Sequence, residues 1–195
     1  RGGPAKVAIF ASGLMGSMSG SVITNVLTTG ALSIPAMKRT GFSPHYAGGV
    51  EACASTGGVL MPPIMGATAF VMATYLEVPY SDIVIAAVIP SVLYFFGLFI
   101  QIDSYAARMG LEGLPREELP SVRKTLLEGW HYVTVFALLI WMLMYLQREA
   151  LAPYYATVLL IVINQFLKSS RWNFDDLINF IVGVGRLFVE LAAIL

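Results

Sequence analysis

Apolar residues fall in long blocks along this chain, and the interruptions between the blocks carry the pattern. The first block runs uncharged from Val7 to Met37, 31 residues. Within it stands GSMSGSVITNVLTTG, Gly16 to Gly30. That stretch is too rich in Gly, Ser, Thr and Asn to face lipid, and its Val, Ile, Leu and Met are too apolar for a loop in water. A second block, Phe42 to Leu76, is broken at Pro62-Pro63. A third spans Ile83 to Ile102, a fourth Trp130 to Leu146 and a fifth Leu151 to Leu167. A sixth begins after Asp176, interrupted by Arg186 and Glu190, which at a spacing of four pair on one helix face. It reads as a tilted, interfacial or scaffold helix. Several blocks approach or exceed the roughly 20 residues that span hydrocarbon. The pattern predicts an all-α polytopic membrane protein.

Composition agrees. The chain is 57% hydrophobic and 12% charged, with a mean hydropathy of +0.73, whereas soluble domains carry about 25% charged residues. Net charge is zero, so neither nucleic acid nor an acidic partner is implied. The one cysteine, Cys53, forms no intrachain disulfide and reads as a small core residue of an apolar helix. The chain has no initiator Met and ends inside an apolar run, LFVELAAIL, so it reads as an internal piece of a longer polytopic protein.

Basic residues set the topology. There are twelve. If the second to fifth blocks each cross once, Lys38, Arg39, Arg108, Arg116, Arg123, Lys124, Lys168 and Arg171 share one side and Arg148 lies on the other. Arg186 lies in the last segment. A first block that crossed once would put Arg1 and Lys6 on the wrong side. A first block that enters and returns keeps them with the majority, so Val7–Met37 reads as a re-entrant helical hairpin open to the cytoplasm. Arms of about 12–15 residues would reach about two-thirds of the way across. The polar stretch is then the tip, and backbone at that depth survives only inside protein or beside an aqueous cavity.

In the second block Thr56-Gly57-Gly58 precedes Pro62-Pro63. Two prolines in succession stop or kink a helix. The carbonyls they free, near Gly57 to Met61, need partners, and a bound cation is one such partner. A plain kink satisfied by neighbouring helices is the other. Glu51, about three turns before the break, is a candidate coupling carboxylate or a structural partner of His45 or Lys38. Asp103 reads as a helix-end charge near Arg108. His45 and His131 flank helices without metal-ligand spacing. A serine hydrolase using Ser19 or Ser21 would lack a base, because both histidines sit at membrane edges. GLEGLPREELPSVRKT, Gly110 to Thr125, reads as a cytoplasmic linker, and Pro90 as a kink in the third block. Trp130 and Trp141 read as interfacial belts and Tyr94 as core.

These residues carry a family pattern. RGGPAKVAIFASGLMGSMSGSVITNVLTTGALSIPAMKRTGFSPHYAGGVEACASTGGVLMPPIMGATAFVMA, residues 1–73, closely resembles the large permease subunit of tripartite ATP-independent periplasmic (TRAP) transporters, the fused TAXI-type permeases most of all. QIDSYAARMGLEGLP, residues 101–115, is similar to the same family, and the resemblance is dense over residues 1–115. It implies a partial elevator-type symporter of the bacterial or archaeal inner membrane, and not an enzyme. Such a permease imports organic acids and related solutes on a sodium gradient, with a periplasmic substrate-binding protein and a small membrane subunit or its fused equivalent. The implied ion and substrate residues are Ser19, Gly20, Ser21, Thr24 and Asn25 at the tip and Gly57, Gly58, Met61, Pro62 and Pro63 at the break, with sodium as coupling ion between them and no cofactor. The implied organisation places the first half of a transport domain at 1–103, with hairpin 7–37, broken helix 42–76 and helix 83–102. A linker at 104–128 and scaffold helices with the start of a further segment at 129–195 complete it. The second hairpin, the second broken helix and the small-subunit helices would lie outside this chain. Two rivals stay open: an elevator-type ion-coupled transporter without a binding protein, and a non-transporting membrane scaffold or enzyme.

Overall fold

Gly20 ends the first helix. It takes the left-handed conformation, φ 62°, which glycine adopts without steric cost, and its amide bonds back to the Gly16 carbonyl oxygen at 2.9 Å. Ser21 then caps the next helix by accepting from the Thr24 amide at 3.3 Å. Two residues therefore reverse the chain between α1 (Gly3–Ser19) and α2 (Val22–Arg39). The computed structural model describes residues 2–111, 113, 122–146, 151–166 and 173–194. Among these, every regular element is a helix: after α2 come α3 (Pro44–Leu60), α4 (Ala67–Leu76), α5 (Tyr80–Arg108), α6 (Val122–Met144), α7 (Ala152–Phe166) and α8 (Phe174–Ile194).

The hairpin of α1 and α2 packs on α3, and α5 runs along the outside of α1 and α3. The core between them is made of small residues: Ala5, Ala8 and Ile9 of α1, Ala47, Val50 and Ala54 of α3, and Ile102 and Ala106 of α5, closed by Met37 and Phe42. Small side chains let helix axes approach closely, which membrane helices use in place of a hydrophobic driving force. A second core joins α4 and the start of α5 to the last turns of α6 and the first turn of α7 through Met65, Ala69, Tyr80, Val84, Leu143 and Ala152.

One end of the bundle carries a group of described charged residues. Gly2 lies against Ala106, Ile102 and Phe42, and the Lys6 ammonium bonds the Asp103 carboxylate at 2.5 Å while sitting 4.4 Å from the centre of the Phe99 ring. Lys38 and Arg39 close α2 and Arg108 closes α5 at the same end. Asp103 is therefore a cross-helix partner inside α5, not a terminal charge. Arg116, Arg148, Lys168 and Arg171 fall outside the described residues, as does the side chain of Glu190 expected to pair with Arg186.

Several boundaries differ from expectation. The hairpin arms are longer, because α1 starts at Gly3 with Pro4 in its first turn and α2 runs through Pro35 to Arg39. α5 exceeds 83–102 at both ends and stays unbroken across Pro90. Residues 104–108 belong to α5 and 122–128 to α6, which shortens the linker, and 112 and 114–121 lie outside the described residues. α5 is the one described helix long and apolar enough to cross a membrane by itself; 67–76, 129–144 and 152–166 are shorter apolar helices.

Candidate functional site

The polar stretch and the helix break meet. A Cβ placed on Gly20 would lie 3.1 Å from the Met65 carbonyl oxygen, and one on Gly66 would lie 3.5 Å from the Gly20 carbonyl oxygen. The reversal between α1 and α2 is thus seated on the Met61–Gly66 segment that separates α3 from α4. One turn earlier, Gly16 faces Gly58 backbone to backbone, and a Cβ on either would intrude to 2.6–2.8 Å of the other. These glycines are where the two helices touch.

Asn25 fills the space beside them. It is fully buried, and its Nδ2 donates to the Ser12 carbonyl oxygen at 2.7 Å. Below Asn25 lies Glu51, also fully buried and enclosed by hydroxyls from all three helices. Ser12 of α1 donates to Oε1 at 2.5 Å, Thr29 of α2 to the same oxygen at 2.5 Å and Ser55 of α3 at 3.3 Å, while Ser33 of α2 donates to Oε2. Three of these hydroxyls converge on Oε1 and one on Oε2. No described lysine or arginine pairs with Glu51. The expected pairing with His45 or Lys38 is replaced by this hydroxyl cage, because Glu51 points into the hairpin interface while Lys38 and His45 are exposed at the charged end.

The break satisfies much of its own backbone. The Gly58 carbonyl oxygen accepts from the Met61 amide at 3.1 Å, and the Val59 oxygen from the Gly66 amide at 3.0 Å. The Tyr80 hydroxyl, at the start of α5, donates to the carbonyl oxygens of Pro63 and Ile64. Neighbouring groups of the fold thus take two of the carbonyls, Gly58 and Val59, for which a cation was one candidate partner, and Tyr80 takes two more just beyond them. Met65 lies in the left-handed region at φ 61°, where a side chain is disfavoured.

The residues singled out from sequence separate into groups. Gly20, Asn25 and Gly58 lie in the zone where tip and break meet. Ser19 is exposed, its hydroxyl 3.4 Å from the Ser21 carbonyl oxygen, and Ser21 and Thr24 are half-buried with their polar atoms in the helix cap. Gly57 faces the other way, where a Cβ would strike the Tyr94 ring at 2.3 Å. Met61, Pro62 and Pro63 are half-buried; Met61 lines a 400 Å³ apolar groove with Ile9, Phe10, Ser91, Phe95 and Phe99. Cys53 is exposed and not in the core, since α3 buries Val50, Glu51, Ala54 and Ser55 and turns Cys53 outward. His131 is buried within α6, away from either end, with neither ring nitrogen partnered among the described residues, and His45 is exposed. Ser12, Thr29, Ser33, Ser55 and Tyr80 were missed.

A family model described as "Tripartite ATP-independent periplasmic transporter, DctM component" matches residues 1–195. The chain is 33% identical over 130 residues to the C4-dicarboxylate TRAP transporter large permease protein DctM of Pseudomonas aeruginosa, covering 65% of this chain and 30% of that protein. It is 30% identical over 117 residues to the protein of the same description from Vibrio cholerae, covering 60% and 25%. A putative TRAP transporter large permease protein of Haemophilus influenzae is 29% identical over 93 residues, covering 48% and 21%. The matched part is thus no more than a third of these relatives' length. No solved structure matches the chain.

Proposed function

We propose, from the premise that this chain belongs to the DctM-component family of tripartite ATP-independent periplasmic transporters, that it forms the first half of the transport domain of a sodium-coupled importer. The family is one of membrane-integral permeases, not enzymes. In this reading α1 and α2 are a re-entrant hairpin, α3 and α4 a broken helix, and the elements slide as an elevator against scaffold helices drawn from α6 to α8. The substrate is an organic acid; two relatives are described as C4-dicarboxylate permeases. A periplasmic binding protein delivers it, and a small membrane subunit or fused equivalent completes the assembly in the inner membrane.

The observation that carries the reading is the seat of the Gly20 turn on the Met65–Gly66 backbone, with Asn25 buried beside it. Depth supports it. Lys6 stands beside Asp103 and Gly13 beside Phe95, so seven residues of α1 run alongside eight of α5. Continued at that rate, the turn falls near Ala87, about 32 Å from the charged end of a helix of about 43 Å and so inside its length. Broken elements that meet within the membrane are how secondary transporters hold ions with backbone and side-chain oxygens. Asn25 Oδ1 and the Gly20 carbonyl would supply such oxygens, with a second lone pair of the Gly58 carbonyl that also accepts from Met61, and hard oxygen donors suit sodium. Glu51 is a candidate coupling carboxylate beneath them.

The test is thermal stability of the full-length permease in detergent, titrated with sodium chloride at constant ionic strength with choline chloride. A ligand of the folded state raises stability by mass action. Wild type is expected to gain stability with sodium but not choline, and Asn25→Ala to shift the sodium midpoint upward. Absence of any sodium-specific gain in wild type would refute sodium coupling.

A further inference from the structure

Thr29 sits between Asn25 and Glu51 with one proton to give. Three acceptors surround its hydroxyl: Glu51 Oε1 at 2.5 Å, the Asn25 backbone carbonyl oxygen at 2.8 Å and the Asn25 side-chain oxygen Oδ1 at 3.3 Å. The Ser12 hydroxyl, 2.9 Å away, is itself turned toward Glu51. Of the three acceptors the Glu51 oxygen lies nearest, and the shorter bond is the stronger. The Thr29 proton therefore goes to Glu51.

That choice decides what Asn25 can do. Its amide orientation is set by Ser12, whose carbonyl oxygen accepts from Nδ2 at 2.7 Å; the reversed amide would oppose two acceptors. Oδ1 is thereby directed away from Ser12. The described donor within its reach is the Thr29 hydroxyl, at the longest of the three distances. With that proton drawn to Glu51, Oδ1 keeps its lone pairs. A carbonyl-type oxygen with free lone pairs is a ligand for a hard cation.

We propose that Glu51 is a positioning residue for the ion site: by holding the Thr29 proton, it keeps Asn25 Oδ1 an acceptor available to sodium. This rests on the reading above that Asn25 takes part in sodium binding. Glu51 acts through Thr29 and is not itself a ligand. Replacing the Glu51 carboxyl by an amide weakens its hold on that proton, which is then shared between the Asn25 backbone oxygen and Oδ1, and its share on Oδ1 competes with sodium.

The experiment measures the sodium midpoint of thermal stabilisation for the full-length permease, with the choline melting temperature as a separate readout. Four variants are compared with wild type: Glu51→Gln, Thr29→Val, the double variant and Asn25→Ala. Glu51→Gln is expected to raise the sodium midpoint roughly three- to tenfold, the scale of one neutral hydrogen bond gained as competitor. Adding Thr29→Val to it should bring the midpoint back toward wild type while lowering the choline melting temperature further. A purely structural role predicts the reverse, since the second loss would add to the first in both readouts. Thr29→Val alone should leave the midpoint near wild type, and this arm decides the matter if Glu51→Gln does not fold. An unchanged midpoint in Glu51→Gln, no recovery in the double variant, or a Thr29→Val midpoint as high as that of Asn25→Ala would each overturn the proposal. If wild type shows no sodium effect, the parent reading fails instead.

Discussion

A methyl group on Gly58 would lie 2.7 Å from the Ser12 carbonyl oxygen and 2.8 Å from the Gly16 Cα. Both are backbone atoms of a packed helix and cannot rotate aside. Gly58→Ala is therefore expected to cost about 1–3 kcal/mol or more, the scale of overpacking a close interface, and to displace Asn25. Gly48→Ala is its control, because a Cβ there meets nothing within 4 Å. Helix propensity favours that change by up to about 1 kcal/mol. Equal melting temperatures for the two variants would refute the close-contact account. The glycine-rich composition announced some close packing, but not which glycines. Gly57 and Gly58 are adjacent in sequence yet touch different helices, one α5 and the other α1. Glu51 was legible as an anomaly, since a carboxylate in an apolar block needs partners. Three of its partners were written at helical spacing: Thr29 and Ser33 follow Asn25 in steps of four along α2, and Ser55 follows Glu51 by four along α3. Attention to the tip as a contiguous segment favoured Ser19, Ser21 and Thr24, whereas the helix face selects every fourth residue.

At the scale of elements, the two interruptions read from the sequence are where the structure has them, each for a local reason. Gly20 followed by Ser21 is a left-handed stop and a cap in succession. After Gly58 the chain leaves the helix at Met61 and resumes at Ala67, with Pro62 and Pro63 unable to supply amides to it. The partner of the break was not legible, because Tyr80 is sixteen residues beyond Ile64 and becomes its neighbour only when α5 folds back. Tyr80 is almost wholly buried, and its ring stacks on Phe70 at 4.2 Å. Tyr80→Phe keeps the ring and removes the donor to two carbonyls. It is expected to cost about 1–3 kcal/mol, the scale of leaving a buried acceptor unpaired, and to speed amide hydrogen exchange at Gly66, whose amide bonds across the break to the Val59 carbonyl oxygen. Exchange there unchanged from wild type would show that the hydroxyl does not secure the segment.

For the whole molecule, the question is which ends share a side of the membrane. Helix periodicity and block length do not answer it, and the distribution of basic residues does. The arrangement of α1, α2 and α5 brings Lys6, Lys38, Arg39 and Arg108 to one end, and carries the α4–α5 turn at Glu77 to the other. A single crossing of Val7–Met37 would separate Val7 from Arg39, whereas a hairpin keeps them together. The two differ in a labelling experiment. Cys53 is exposed, so it is first replaced by serine, and single cysteines are placed at Val7, Arg39 and Glu77 of the full-length permease. With an impermeant maleimide, Val7→Cys and Arg39→Cys are expected to react in inside-out vesicles and not in right-side-out ones, and Glu77→Cys the opposite way. Ser19→Cys, exposed at the turn but well short of the α4–α5 end, should react more slowly from either side than any of these, because it reaches water only through the protein interior. Labelling of Val7→Cys and Arg39→Cys from opposite faces would exclude the hairpin, and with it the meeting of turn and break inside the membrane on which the transport reading depends.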